Sequence, residues 1–303
     1  MYTEISMAIM LFRTNILALV GSDSNVEHKS NKLLIWDDSK KAISSEMKFG
    51  HKILNVKLRK DKLIVVFHDK IYVFELLTFK NIDSIETIDN EHGIVAVSYE
   101  QKQTLLAYPD KKKGVVGLKN YENSSIFRIK AHENNLAFIT LSYDGKFLAT
   151  ASEIGTLIRI FNVENGETVQ ELRRGKEKAN IKYICFEPNL KYIAASSDRG
   201  TIHIWSLPEN IKRNKDNNYN NNNKIENKRS GFSWLPSFIV GQYFQSEWSF
   251  AQIRITDHNS IFCFGAENTM AVVSTEGIYY KAQFDTENGG DCTIVQEEDL
   301  FAD

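Results

Sequence analysis

Short apolar runs separated by turn residues recur along the chain, at 16–20, 32–36, 53–58, 63–68, 71–76, 93–98, 104–108 and 114–118. They are too short for helices and no 3.6-residue periodicity links them, so each is read as a β-strand. Many strands at this spacing make a sandwich, a barrel or a propeller. A repeat chooses among the three. Asp144-Gly145-Lys146-Phe147-Leu148-Ala149-Thr150-Ala151-Ser152-Glu153-Ile154-Gly155-Thr156 leads into Leu157-Ile158-Arg159-Ile160-Phe161, and Asn189-Leu190-Lys191-Tyr192-Ile193-Ala194-Ala195-Ser196-Ser197-Asp198-Arg199-Gly200-Thr201 leads into Ile202-His203-Ile204-Trp205. Ser152 and Ser197, Gly155 and Gly200, Thr156 and Thr201 share one offset of about 45 residues, the length of a WD-type repeat. The chain is therefore expected to be all-β, a WD40-like β-propeller forming one domain over 1–303, with six repeats at about 1–48, 49–90, 91–130, 131–172, 176–245 and 246–287.

Low-complexity sequence at 208–231, including Asn217-Asn218-Tyr219-Asn220-Asn221-Asn222-Asn223, interrupts the penultimate repeat. So polar a tract buries too little surface to offset its ordering entropy, and a disordered loop is expected there. It carries Lys212, Arg213, Lys215, Lys224, Lys228 and Arg229, and an apolar group from Phe232 to Phe244 follows. Basic residues beside aromatics suit an interfacial membrane anchor. Residues 234–244 equally suit the returning strand of a blade. Glu297-Glu298-Asp299 points to a frayed acidic tail over 288–303.

Composition narrows the function classes. A net charge of −2 gives no global attraction to nucleic acid or to an anionic bilayer, so any such binding must come from a local patch; no nucleic-acid partner is expected. Cys185, Cys263 and Cys292 form no CxxC pair, which speaks against a disulfide framework or a zinc site and for a reducing compartment. The apolar pieces 7–12 and 16–20, broken by Arg13 and Asn15, read as strands rather than a signal peptide, and no run approaches the ~20 apolar residues of a membrane span. The chain contains no HExxH, GxxxxGK[ST] or GxSxG, and its seven histidines show no metal-ligand spacing. Neither an enzyme nor a cofactor or metal is expected.

The candidate chemistry sits at the seam between the two repeat copies, in Leu172-Arg173-Arg174-Gly175. Neighbours on an extended segment point to opposite sides, so adjacent arginines can serve two pockets. Each guanidinium is a planar fork of donors suited to phosphate oxygens. A solvated charge pair at a strand end is the plain alternative.

With Ala131-His132, Ala149-Thr150-Ala151-Ser152 and Gly155-Thr156 before it and Ser196-Ser197-Asp198-Arg199-Gly200-Thr201 after it, the seam resembles that of the PROPPINs, WD40-like propellers that bind phosphoinositides in autophagy and endolysosomal traffic. Residues 11–21, 34–38 and Ser246-Glu247-Trp248-Ser249-Phe250-Ala251-Gln252 are similar to the family pattern too. The resemblance implies seven blades, the first preceding the segment like 11–21, so this chain is expected to lack that blade. It implies one headgroup pocket of His132, Ser152, Thr156 and Arg173, and a second of Arg174, Lys178, Ser197, Thr201 and His203. Lys178 stands where the family more often has arginine or histidine. A histidine beside phosphate is expected to become a cation as its pKa rises. Arg159 suits either the first pocket or a cross-strand charge pair. The implied ligands are phosphatidylinositol 3-phosphate and phosphatidylinositol 3,5-bisphosphate on a membrane surface, with autophagy proteins as further partners. The implied location is the cytoplasm, with peripheral recruitment to autophagosomal, endosomal or vacuolar membranes. In the family the loop matching 208–231 inserts into membranes, and the surface matching 22–30 binds lipid-transfer partners. A protein-only WD40 scaffold, its arginines gripping an acidic or phosphorylated peptide, is the competing reading.

Overall fold

The computed structural model describes residues 5–24, 29–100, 103–211, 227–228, 246–255 and 260–302. Successive stretches of chain fold into antiparallel sheets, as the alternation and the repeat predict. The first blade is Ile5–Met10, Ile16–Gly21, Lys32–Asp37 and Ala42–Lys48; the second Asn55–Leu58, Lys62–Val66, Lys70–Glu75 and Asn81–Glu86; the third Ala96–Val97, Leu105–Pro109, Val115–Asn120 and Ile126–Lys130. The fourth is Leu136–Leu141, Phe147–Ser152, Leu157–Asn162 and Thr168–Arg173. Ile181–Phe186, Tyr192–Ser197, Thr201–Ser206 and Ala251–Arg254 form the fifth, and Ser260–Phe264, Thr269–Ser274, Ile278–Gln283 and Thr293–Asp299 the sixth. First strands of neighbouring blades meet towards the middle, as Leu136–Leu141 meets Ile181–Phe186. Leu105–Pro109 and Phe147–Ser152 are buried throughout, whereas Thr293–Asp299 is exposed throughout. This is a six-bladed propeller arrangement.

Both faces of a blade find partners. Leu33 and Ile35 of the first blade pack with Val56 and Leu63 of the second, and Ile64 and Val73 on the second blade's other face pack with Val97 and Leu106 of the third. Leu118 meets Leu148 between the third and fourth blades, Ile158 and Leu172 meet Ile193 and Trp205 between the fourth and fifth, and Ile204 meets Val272 between the fifth and sixth. Each fully buried side chain of this size contributes about 1.5 to 3 kcal/mol. Among the described residues no apolar cluster joins the sixth blade to the first. Met10 is 57% exposed and Ile261 64% exposed. No helix among the described residues is long and apolar enough to cross a membrane.

Three boundaries differ from the sequence reading. Ala251–Arg254 closes the fifth blade by pairing antiparallel to Thr201–Ser206, so the sixth blade starts at Ser260 and not near 246. The acidic residues near the end form an outer strand, with Ile278 opposite Asp299 and Lys281 opposite Gln296, rather than a frayed tail over 288–303. The backbone ladder explains this: an edge strand needs its N–H and C=O groups paired on one side only, and charged side chains on it discourage pairing with another chain. The interrupting segment is fastened within its expected disordered bounds. Glu209–Ile211 forms a 3₁₀ turn, and Lys228 bridges to Trp248. The remainder of 208–231, and the apolar group from Phe232 to Phe244, lie outside the described residues.

Asn227 is the firmest point of that fastening. It is buried, accepts from the Ser206 amide (2.8 Å), donates to the Ser206 carbonyl (2.8 Å) and donates to Glu247 (2.8 Å). Asn227→Ala would remove the side-chain acceptor of the Ser206 amide and the shorter of two donors to its carbonyl, the other being Gln170 Nε2 at 3.3 Å, and a buried group left unpaired costs about 1–3 kcal/mol. The thermal midpoint of the variant should fall clearly in a calorimetric scan; an unchanged midpoint would show that the anchor contributes nothing.

Candidate phosphate-binding site

Cross-strand register places the two arginines on opposite faces of the fourth blade. Thr150 lies opposite Arg159, Arg159 opposite Glu171, and Leu157 opposite Arg173. Paired residues share a face, here the face whose Leu148 and Phe161 pack on the third blade. Ser152 belongs to it by alternation. Arg174 turns the other way, towards the fifth blade, where Ala195 and Trp205 pack on the fourth. His203 lies opposite Ala195, so His203, Thr201 and Ser197 share that face. The candidate residues thus divide between two successive clefts.

In the first cleft His132 is 5% exposed, with Nε2 2.9 Å from Thr150 Oγ1. Burial, and then the Arg159 charge, push its pKa down to about 4. Arg159 donates to the Ala131 carbonyl (2.7 Å) and to Glu171 (2.9 Å), and so makes the cross-strand charge pair while lying in the cleft. Arg173 is 3% exposed and donates from Nε to Ser246 Oγ at 2.7 Å. Thr156 engages the other arginine: its carbonyl accepts the Arg174 amide at 2.9 Å.

The second cleft is built on a tight turn. Gly155 has φ of +64°, and a Cβ there would stand 1.8 Å from the Ala179 carbonyl oxygen, so no other residue fits without moving the backbone. The Gly155 carbonyl accepts Arg174 Nε at 3.0 Å, and the Glu177 carbonyl accepts Nη2. Arg174 is 8% exposed, and its Nη1 has no partner among the described residues. Burial, and then Arg199, lower the guanidinium pKa. His203 Nδ1 lies 2.9 Å from Ser249 Oγ, and burial followed by the Arg174 and Arg254 charges pushes its pKa down to about 4. Ser197 Oγ is buried with no hydrogen-bond partner. Lys178 is exposed, and its carbonyl accepts from Arg199 at 3.0 Å.

This geometry sets the charge states of the free protein. Both imidazoles are neutral at pH 7 in the free protein, because desolvation and flanking arginines oppose the positive form. Both arginines are buried structural donors rather than solvated charges. Sequence reasoning also left Thr150, Ser246, Ser249 and Arg254 unassigned. Ser246 and Ser249 lie inside the 246–252 motif, and Arg254 lies opposite Thr201. No cluster that could hold a metal ion occurs among the described residues.

The PROPPIN family model matches residues 6–301. The chain belongs to the PROPPIN family. This PROPPIN is 34% identical over 297 residues to autophagy-related protein 18e of Arabidopsis thaliana, covering 97% of this chain and 76% of that one. It is 37% identical over 200 residues to SVP1-like protein 2 of Emericella nidulans, covering 66% of this chain and 62% of the relative. Kluyveromyces lactis Hsv2 shares the fold with a TM-score of 0.74 at 23% identity, covering 98% of this chain and 87% of that one. A solved complex of KlAtg21 with the coiled-coil of AgAtg16 is similar with a TM-score of 0.74 at 22% identity, covering 97% of this chain and 84% of the other.

The two depressed histidines make stability depend on pH. With folded pKa values of about 4 against 6.5, the unfolded chain binds more protons in that window. Stability is therefore full above about pH 6.5 and is lost as pH falls towards about 4. The thermal midpoint should drop between about pH 6.5 and 4.5, and His132→Gln with His203→Gln should flatten that slope; equal slopes would show that the imidazoles are not the titrating groups.

Proposed function

We propose that this PROPPIN binds phosphatidylinositol 3-phosphate or 3,5-bisphosphate and is thereby recruited from the cytoplasm to autophagosomal, endosomal or vacuolar membranes, where it engages autophagy proteins. The observation that carries the reading is the second cleft, where Arg174 Nη1 and Ser197 Oγ both lack partners beside His203. A phosphate oxygen is the acceptor these groups lack, and the bond from the guanidinium is charge-assisted. The cleft across the same blade holds His132, Ser152 and Arg173. Two weak sites engaging one membrane gain roughly 10²- to 10⁴-fold through avidity. The autophagy part of the proposal is supported by the names of the relatives, and protein engagement by the Atg21–Atg16 complex. The role is one of binding and not catalysis. A scaffold that grips one phosphorylated peptide would use a single cleft; two clefts flanking one blade favour a surface of repeated headgroups.

Vesicle flotation tests this directly. The parent protein should float with vesicles containing either 3-phosphorylated lipid and not with unphosphorylated phosphatidylinositol. Ser197→Ala should keep the thermal midpoint, since its hydroxyl makes no internal bond, yet weaken flotation roughly threefold to tenfold for one lost hydrogen bond. Arg173→Thr with Arg174→Thr should abolish flotation and also lower the midpoint, because both side chains hold internal acceptors. An anion beside His203 raises its pKa, so binding takes up a proton and should be stronger at about pH 5.5 than at about pH 7.5. A parent that ignores these vesicles but captures a phosphopeptide would replace the lipid reading with the scaffold one.

A further inference from the structure

A cavity of about 550 Å³ occupies the middle of the propeller, lined by first strands of the second, third, fourth and fifth blades and residues leading into them. Lys57 contributes from Asn55–Leu58. Val56 and Leu58 on either side are buried between blades, so alternation turns Lys57 to the cavity. It is partly buried and has no hydrogen-bond or ion-pair partner among the described residues, whereas Lys62 of the same blade is paired with Asp61. Desolvation holds its pKa below the ordinary lysine value. An ammonium kept from water without a counter-charge is unfavourable.

The rest of the lining fits one kind of counter-charge. Tyr99 and Tyr183 border the same cavity, and their hydroxyls also have no hydrogen-bond partner among the described residues. Burial raises both phenol pKa values, so both remain donors. Phe138 meets Tyr183 edge-on with ring centroids 5.7 Å apart, giving an apolar aromatic wall. Among the described lining residues Glu153 is the one carboxylate, and it already accepts from Asn135 at 3.0 Å. The lining mixes polar groups with an aromatic wall, so a small molecule that carries both an anion and a ring matches it.

We propose that the cavity binds a small aromatic monocarboxylate, with its carboxylate on Lys57 and the tyrosine hydroxyls and its ring against Phe138 and Tyr183. Lys182 also borders the cavity but is exposed, so Lys57 is the one partly buried lysine there and matches one negative charge, while the phenols donate to the second carboxylate oxygen. The site is separate from the arginine clefts and does not depend on the lipid reading.

The probe is 4-(trifluoromethyl)benzoate, followed by ¹⁹F NMR on the full chain, with the neutral 4-(trifluoromethyl)benzyl alcohol as control. The benzoate should bind saturably, and both Lys57→Met and the alcohol should bind at least about tenfold more weakly, the effect of one charge-assisted contact. Lys57→Arg should retain most of the affinity. Should Lys57→Met fail to fold, Tyr99→Phe with Tyr183→Phe, which removes only the two hydroxyls, is expected to weaken the benzoate selectively. No saturable binding to the parent, or binding of acid and alcohol alike, would overturn the proposal.

Discussion

Face-to-face packing of sheets governs everything else in this molecule. The second to fifth blades each bury apolar residues on both faces, so a polar side chain between blades must either lie where strands end or find its own partners there. Arg173 and Arg174 do both. They close the outer strand of the fourth blade, one on each face, and each meets acceptors supplied from outside the strand: Ser246 for Arg173, and the Gly155 and Glu177 carbonyls for Arg174. The apolar stacking creates the two clefts, and the arginine pair fills their rims.

Those bonds give the arginines two roles that cannot be separated by simple deletion. Removing a guanidinium takes a donor away from Ser246 or from the buried Gly155 carbonyl, which is destabilising whether or not a ligand ever binds. Ser197 differs, since its buried hydroxyl gives nothing to the free protein. The neutral histidines follow the same logic. Desolvation and flanking arginines hold them uncharged, and a bound anion would reverse that balance, so ligand binding and proton uptake are linked.

The fold was largely legible because it rests on local chemistry. Gly155 and Gly200 hold positive φ at matching positions of two repeats, and their shared offset exposes the blade period. Alternation along the Arg173-Arg174 pair likewise announced two faces. What escaped depends on distance. The pairing of Ala251–Arg254 with Thr201–Ser206 spans the Asn-rich interruption, and no local pattern specifies so remote a partner. Thr293–Asp299 escaped because an edge strand exposed on both faces carries no hydrophobic alternation to read. Arginine burial escaped because the acceptors are turn carbonyls and a serine far along the chain, which residue types at the seam cannot show.

The segment after the interruption ties the clefts together. Ser246 accepts from Arg173, Glu247 accepts from Gln170 and Asn227, Trp248 pairs with the Arg173 backbone, and Ser249 meets His203. Phe250 and Ala251 then enter the core between the fifth and sixth blades. Within four residues the chain thus touches Arg173 of the first cleft and His203 of the second. Neither cleft can keep its geometry if this strut leaves, because Arg173 would lose its Ser246 acceptor and His203 its Ser249 partner at once. The sequence interruption and the candidate site, distinct as sequence features, are therefore one mechanical unit, joined through the bonds of Asn227 to Ser206 and Glu247.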